Sequence, residues 1–517
     1  MSIKLPQLIS NGMVLQRNAD VKLWGTADEP VIVSFLGQQY NTLPDKDGKW
    51  ELVLKGLEPG GPFIMKINDT VISDVYIGDV WLCSGQSNMQ MRMQRPQYYY
   101  PEELQNPDCH VHQFAVPQRA EFAGPMDDLE GGEWIRSSPD TIRDITAAGY
   151  FFAKRLYESY RVPIGLLLCA IGGTPVHAWM SRHSLRNFPE LLIDADNCLD
   201  KDYVARETKA GQKRTGDFLD GIDKSDPGLA EKWFNPDYDD SEWEERELLE
   251  PWTGTGSVWF RRTLDIKPES AGRPAMLFLG TIVDADTVYV NGEKIGETTY
   301  RYPPRYYHIP SLPSGRCCIT IRVICRDGGF FTPDKQYVLS TENGSYNLNN
   351  IWRFRRGGDG ILTEPETAFH YKPASLYNGM LAALCKYAIR GTIWYQGESD
   401  AANPNRYGEK FRELICGWRK DWGYDFPFIF VELPYWGEGP NLRLMRRQQW
   451  LALDLPNTAM AAAADLGEHN DIHPLDKQNI GLRLARCAMR LAYGEKMPPS
   501  PFEIIGVTPA SSLQQAL

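Results

Sequence analysis

The sequence predicts an α/β protein built on a parallel sheet, preceded by a small β-sandwich and interrupted by a strand-rich insert. Three observations carry that prediction. Short apolar runs alternate with amphipathic helical stretches over residues 76–212 and again over 366–495, the pattern of βα units that lay down parallel strands. Residues 1–75 show two-residue alternation instead, and residues 213–365 return to strands and hairpin signals such as Asn291-Gly292. At 517 residues and 42% hydrophobic, the chain is long enough to bury more than one core.

Taken in order, the first segment (1–75) carries Val21-x-Leu23, Val31-x-Val33-x-Phe35 and Trp50-x-Leu52-x-Leu54, with turn clusters such as Asp45-Lys46-Asp47-Gly48 between them. That predicts the β-sandwich. The first α/β part (76–212) opens on a strand at 75–83, holds an amphipathic helix at 146–160 and continues into a strand at 164–171. In the insert (213–365) the clearest strands fall at 258–264, 275–279, 287–290 and 318–323. The second α/β part (366–495) reads as helix 375–387, strand 391–395, helix 406–418, strand 428–433, helix 443–453 and strand 458–464. Its last helix spans 476–493, where Ile480, Leu484, Cys487, Ala488 and Leu491 keep a helical period. The Pro-rich 497–501 makes 496–517 a linker leading into a further β segment, with a strand at 502–507.

Four stretches carry chemistry. In Gly85-Gln86-Ser87-Asn88-Met89 a serine follows an apolar strand where a helix begins, beside free backbone donors. Ser87 there is either a helix cap or a nucleophile, and a hydroxyl becomes a nucleophile only with a base and an oxyanion site nearby. In Asp471-Ile472-His473-Pro474 an imidazole sits on a loop after a strand, at the edge of an open α/β sheet where sites form. It is either a packing residue or a general base with a carboxylate two residues back. Gly172-Gly173 also follows a strand, and glycine lets backbone approach an oxyanion closely, although most such pairs are plain turns. Gln396 follows the strand at 391–395, so its amide points along the same edge or bonds its own loop.

Together these stretches resemble the SGNH (GDSL-like) hydrolases, and specifically the sialate O-acetylesterase family of carbohydrate esterases. The resemblance rests on Gly85-Gln86-Ser87-Asn88-Met89, on Ile171-Gly172-Gly173-Thr174-Pro175, on Trp394-Tyr395-Gln396-Gly397-Glu398 and on Asp471-Ile472-His473-Pro474, in that order along the chain. It implies an SGNH three-layer fold, with Ser87 as nucleophile, His473 as base, and Gly173 and Gln396 as oxyanion donors. Asp471 is the implied orienting acid. Many SGNH enzymes place that acid three residues before the histidine, where this chain has Asn470. Glu398 is the rival, because related acetylxylan esterases use a glutamate of the Gln-Gly-Glu block. Asp400, Asp465 and Glu468 are weaker candidates. No Gly-x-Ser-x-Gly elbow surrounds Ser87, which argues against an ordinary α/β-hydrolase.

The implied reaction is hydrolysis of acetyl esters on sugars, with no cofactor. O-acetylated sialic acid is the first substrate and acetylated xylan the second; a sugar-binding protein on an inactive scaffold is the non-enzymatic alternative. Phe234 to Trp243 with Trp259-Phe260-Arg261-Arg262 resembles the galactose-binding-like jelly rolls of glycosidases, and the resembling family carries such an insert. That domain either binds sugar or shapes the active site.

Composition narrows the rest. A net charge of −12 disfavours nucleic acid and anionic membrane as partners, and no apolar run reaches membrane-spanning length. Oligomeric state is not readable. Ten cysteines without a C-x-x-C pair disfavour a zinc ribbon and fit a reducing compartment. The N-terminus shows no apolar signal core, which predicts a cytoplasmic protein, or a periplasmic or secreted one if a signal has been removed. His110-x-His112 is a metal suggestion without a third ligand, so no metal is expected. Glu398 with Asp400 mimics a glycosidase pair but leaves Ser87 and His473 unemployed.

Overall fold

The computed structural model describes residues 3–437, 440–496 and 503–504. Most of the segment expected as a linker and further strand, 496–517, lies outside them; within it the strand Glu503–Ile504 is described. The chain divides into two compact units: residues up to Lys201 together with those from Ala368 onward, and residues Asp202–Thr367.

The first unit is organised by one strand, Thr70–Gly85. Its first half pairs with Gly60–Ile67 antiparallel and with Val14–Gln16 parallel. Its second half lies between Ile164–Ala170 and Gly391–Tyr395, parallel to both. The strand thus extends beyond the expected 75–83 in both directions. Its exposure explains the difference: from Val75 onward it is fully buried and reads as an apolar run, while Thr70, Val71 and Asp74 face solvent. Outward from this centre the sheet continues on one side through Val111–Ala115 and on the other through Phe428–Val431 and Thr458–Ala461, all parallel. Trp134–Arg136 closes one edge antiparallel.

Helices cover both faces. Phe152, on helix Ala147–Tyr160, packs edge-on against Trp81 at 5.0 Å. Phe411, on helix Tyr407–Trp422, lies 6.0 Å from Trp394, whose register opposite Ser84 turns it to the other face. Helix Lys477–Leu491 runs beside Ala147–Tyr160 and approaches it at Gly481, where a side chain would meet Phe151 and the Phe152 backbone. Buried Asp79 joins the N-terminal strands to this core: it accepts from Arg17 and Gln16 of the N-terminal segment and from the Tyr493 hydroxyl.

The second unit is antiparallel. One sheet runs Glu244–Glu247, Ile351–Asp359, Gly256–Ile266, Gly315–Cys325, Ala285–Val290 and Glu293–Thr298; the other runs Tyr306–Ile309, Ala275–Leu279, Tyr337–Thr341 and Gly344–Asn347. Phe260 and Ile321 from the first and Leu277 and Leu339 from the second share one core. Helix Lys201–Ser225 precedes them and runs through the boundary expected at 212. Its low hydrophobicity hid it: Gly211, Phe218 and Ile222 are its buried residues. No helix among the described residues is long and apolar enough to cross a membrane.

Candidate active site

All four motif stretches end at the carboxyl edge of the parallel sheet. Ser87 follows the central strand, Gly172 follows Ile164–Ala170, Gln396 follows Gly391–Tyr395, and His473 lies on the loop after Thr458–Ala461. The chain leaves the central strand toward one side and returns on the other, so Ser87 stands at the switch point where such sheets open a crevice. At Gly85 any Cβ would overlap the Tyr395 carbonyl, and φ is +128°, so only glycine lets the two strands end this close.

Ser87 is not a helix cap. It is the first residue of the short helix Ser87–Gln90, Gln86 is the cap residue, and the Ser87 hydroxyl instead reaches His473, with Oγ 2.7 Å from Nε2. The other ring nitrogen, Nδ1, lies 3.7 Å from Asp471 Oδ1, and that same oxygen accepts the His473 backbone N–H at 2.8 Å. Asp471 Oδ2 is 3.6 Å from Arg95. Burial, and then the positive charges of Arg95 and Lys477, push the His473 imidazolium well below the usual histidine range. The imidazole is therefore held in its base form.

Glu398 sits elsewhere. Its Oε1 accepts from Asn88 Nδ2 at 2.5 Å, and its Oε2 is buried without a hydrogen-bond partner among the described residues. Burial pushes this carboxyl up to about 7. Asn88 Nδ2 also donates to the Ile472 carbonyl, and Asn88 Oδ1 accepts from Lys477 Nζ at 2.8 Å. Lys477 donates further to the Pro474 carbonyl at 2.6 Å and lies over the Tyr395 ring. It is fully buried, and desolvation together with Arg95 brings its ammonium down to about 7.

The glycine block and Gln396 are joined by Asp400, whose Oδ2 accepts from the Val176 N–H at 2.9 Å and from Gln396 Nε2 at 2.7 Å. The second Gln396 amide hydrogen goes to the Thr174 carbonyl, and its Oε1 accepts from the Tyr407 hydroxyl. Both hydrogens expected for an oxyanion are thus engaged, which differs from the role foreseen for this side chain. The backbone N–H groups of Ser87 and Gly173 have no acceptor among the described residues. Gly173 has φ +76°, and its missing Cβ leaves room for the Tyr371 hydroxyl. The Ser87 block is fastened to its neighbours by two glutamines. Gln86 Oε1 accepts from Gly397 and Ser399, and Gln90 Oε1 accepts from Gly172.

Asp465 pairs instead with Arg483, and Glu468 accepts from the Leu475 N–H. His110 lies at the amino-terminal edge of the same sheet, away from Ser87, and its ring nitrogens meet Asp108 and the Tyr157 hydroxyl. Sequence reasoning missed Asn88, Lys477 and Arg95. For Lys477 a signal existed: a cation in the first turn of a helix opposes the helix dipole, so it needs some other reason to be there.

The family model described as "Carbohydrate esterase, sialic acid-specific acetylesterase" matches residues 77–208 and 352–490. Among curated proteins, a sialate O-acetylesterase from Rattus norvegicus is 24% identical over 94% of this chain and 73% of its own length. One from Homo sapiens is 34% identical over 34% of this chain and 39% of its own. Among solved structures, a carbohydrate acetylesterase from Xanthomonas citri matches with TM-score 0.58 at 23% identity, covering 96% of this chain and 76% of that one. The chain is a carboxylic ester hydrolase. More narrowly, it belongs to the sialic acid-specific acetylesterase family of carbohydrate esterases.

Proposed function

We propose that this enzyme removes acetyl groups from sugars by two-step acyl transfer, with O-acetylated sialic acid as the first substrate. The observation that carries the reading is the 2.7 Å contact between Ser87 Oγ and His473 Nε2. His473 takes the Ser87 proton as Oγ bonds to the acetyl carbon, then returns it to the departing sugar oxygen; water, activated the same way, releases acetate. The oxyanion falls to the Ser87 and Gly173 backbone N–H groups. Gln396 would have to exchange its bond to Asp400 or Thr174 to join them, and otherwise holds the glycine block in place. Asp471, the carboxylate facing Nδ1, is assigned the orienting role, with Glu398 as helper through Asn88. The fold is read as an SGNH three-layer domain (76–212 and 366–495) with an N-terminal β-sandwich (1–75) and a galactose-binding-like jelly roll (213–365).

The choice of sugar rests on the sialate O-acetylesterases of rat and human that the chain resembles. The test is acetate release from 9-O-acetylated sialic acid beside acetylated xylo-oligosaccharides, with Ser87→Ala as the blank. The expected result is preference for the sialate and at least a ~1,000-fold loss on Ser87→Ala. Preference for xylan fragments would move the substrate and keep the chemistry. Release that survives Ser87→Ala would overturn the mechanism.

A further inference from the structure

We propose that Lys477 is a positioning residue for ester hydrolysis, fastening the Ser87 helix to the His473 loop through Asn88 and Pro474. The inference rests on the Ser87–His473 reading above and goes beyond it. A lysine with no exposure, in the first turn of a helix, is costly to bury, and this one carries its donors into the interior. One donor reaches Asn88 Oδ1, one residue past Ser87. Another reaches the Pro474 carbonyl, one residue past His473. Asn88 completes the clamp by donating to the Ile472 carbonyl, the residue before His473. A helix and a loop far apart in the chain therefore share a single ammonium group, and the ring of Tyr395, at the end of a strand, lies under it.

The charges around the pair fix the sign of its electrostatic effect. His473 is faced by Arg95 and Lys477, both positive, and by Asp471. Lys477 is faced by Arg95, Glu398, Asp471 and Glu468. Near the acid limb of the rate profile Lys477 is charged, because that limb lies below the pH at which its ammonium titrates. Its charge then opposes protonation of His473. Removing the charge lets the imidazolium form more readily, so the acid limb moves to higher pH. A residue that only fills space has no such effect.

The experiment measures kcat and KM for 4-nitrophenyl acetate across pH in wild type, Ser87→Ala, Lys477→Met, Lys477→Gln and Lys477→Arg, with circular dichroism checking folding. In Lys477→Met, kcat should fall about 100-fold with KM within about two-fold, and the acid limb of kcat/KM should rise by about half a pH unit or more. Lys477→Gln keeps donors but no charge; it should recover part of kcat and retain the shifted limb. Lys477→Arg keeps the charge and should leave the limb in place. A folded Lys477→Gln or Lys477→Met with an unmoved limb and kcat within about two-fold of wild type overturns the proposal. Failure of all three variants to fold also overturns it, since the residue would then serve folding alone. Activity surviving in Ser87→Ala would sink the underlying mechanism instead, a separate result.

Discussion

Behind Ser87, a carboxyl and an ammonium group are buried on either side of one asparagine. Glu398 accepts from Asn88 Nδ2 while Lys477 donates to its Oδ1, so the amide relays between them without direct contact. Desolvation raises the carboxyl from 4.5 to about 7. The folded protein then holds a proton that the unfolded chain has released, and the sign follows. The contribution of Glu398 to stability is fully present below about pH 4.5 and is lost as pH rises through about 7. At 1.36 kcal/mol per unit, that loss is on the order of 3 kcal/mol. Glu398→Gln keeps an acceptor for Asn88 and cannot ionise, so its stability should not fall across that window. Urea unfolding at pH 5 and pH 7.5 should show wild type losing stability relative to the variant; parallel behaviour of the two proteins would refute the raised carboxyl.

The helices that carry this arrangement show which parts of the structure the sequence announces. Helix Lys477–Leu491 lies against Ala147–Tyr160 with Gly481 at the crossing, where a Cβ would come 2.6 Å from Phe151 Cβ and 2.7 Å from the Phe152 nitrogen. Gly481→Val should therefore cost about 1–3 kcal/mol as the helices separate, and because Lys477 heads the same helix, kcat should fall with it. Thermal unfolding and the rate on one ester would check both; an unchanged melting temperature would mean the crossing is looser than described. Both helices are legible from their apolar period, and the strand Gly391–Tyr395 from its short apolar run, which is buried at every position. The long strand Thr70–Gly85 is legible from Val75 onward, whereas its start, where Thr70, Val71 and Asp74 face solvent, has no apolar run to read. The motif residues Ser87 and His473 were legible as types, but their contact spans 386 residues and follows from the sheet's strand order, which local pattern does not encode. The bonds of Gln396 to Asp400 and Thr174 are side-chain geometry of the same kind.

At the scale of the whole chain, the described residues hold separate cores, one around Ser87 and two between Asp202 and Thr367. Around Ser87 the core gathers residues from both ends of the chain, whereas the strands between Asp202 and Thr367 enclose their own. Asp226 is a keystone of that second unit. It is buried, and it accepts from Ser257, Trp259, Arg322 and the Gly228 N–H. Asp226→Ala would leave three donors unmatched and the buried Arg322 with Asp223 as its remaining carboxylate partner among the described residues. Breaking a buried pair from one side costs about 3–5 kcal/mol, so calorimetry of the full chain should show the unfolding of this unit shifted down by several degrees. Every group assigned to acyl transfer lies in the other unit, from Ser87 and Gly173 to Gln396 and His473. Hydrolysis of a small acetyl ester by the folded variant should therefore match wild type. A fall in that rate would mean that the inserted unit shapes the catalytic site. A fall confined to an oligosaccharide ester, seen in KM alone, would instead assign it to holding the sugar.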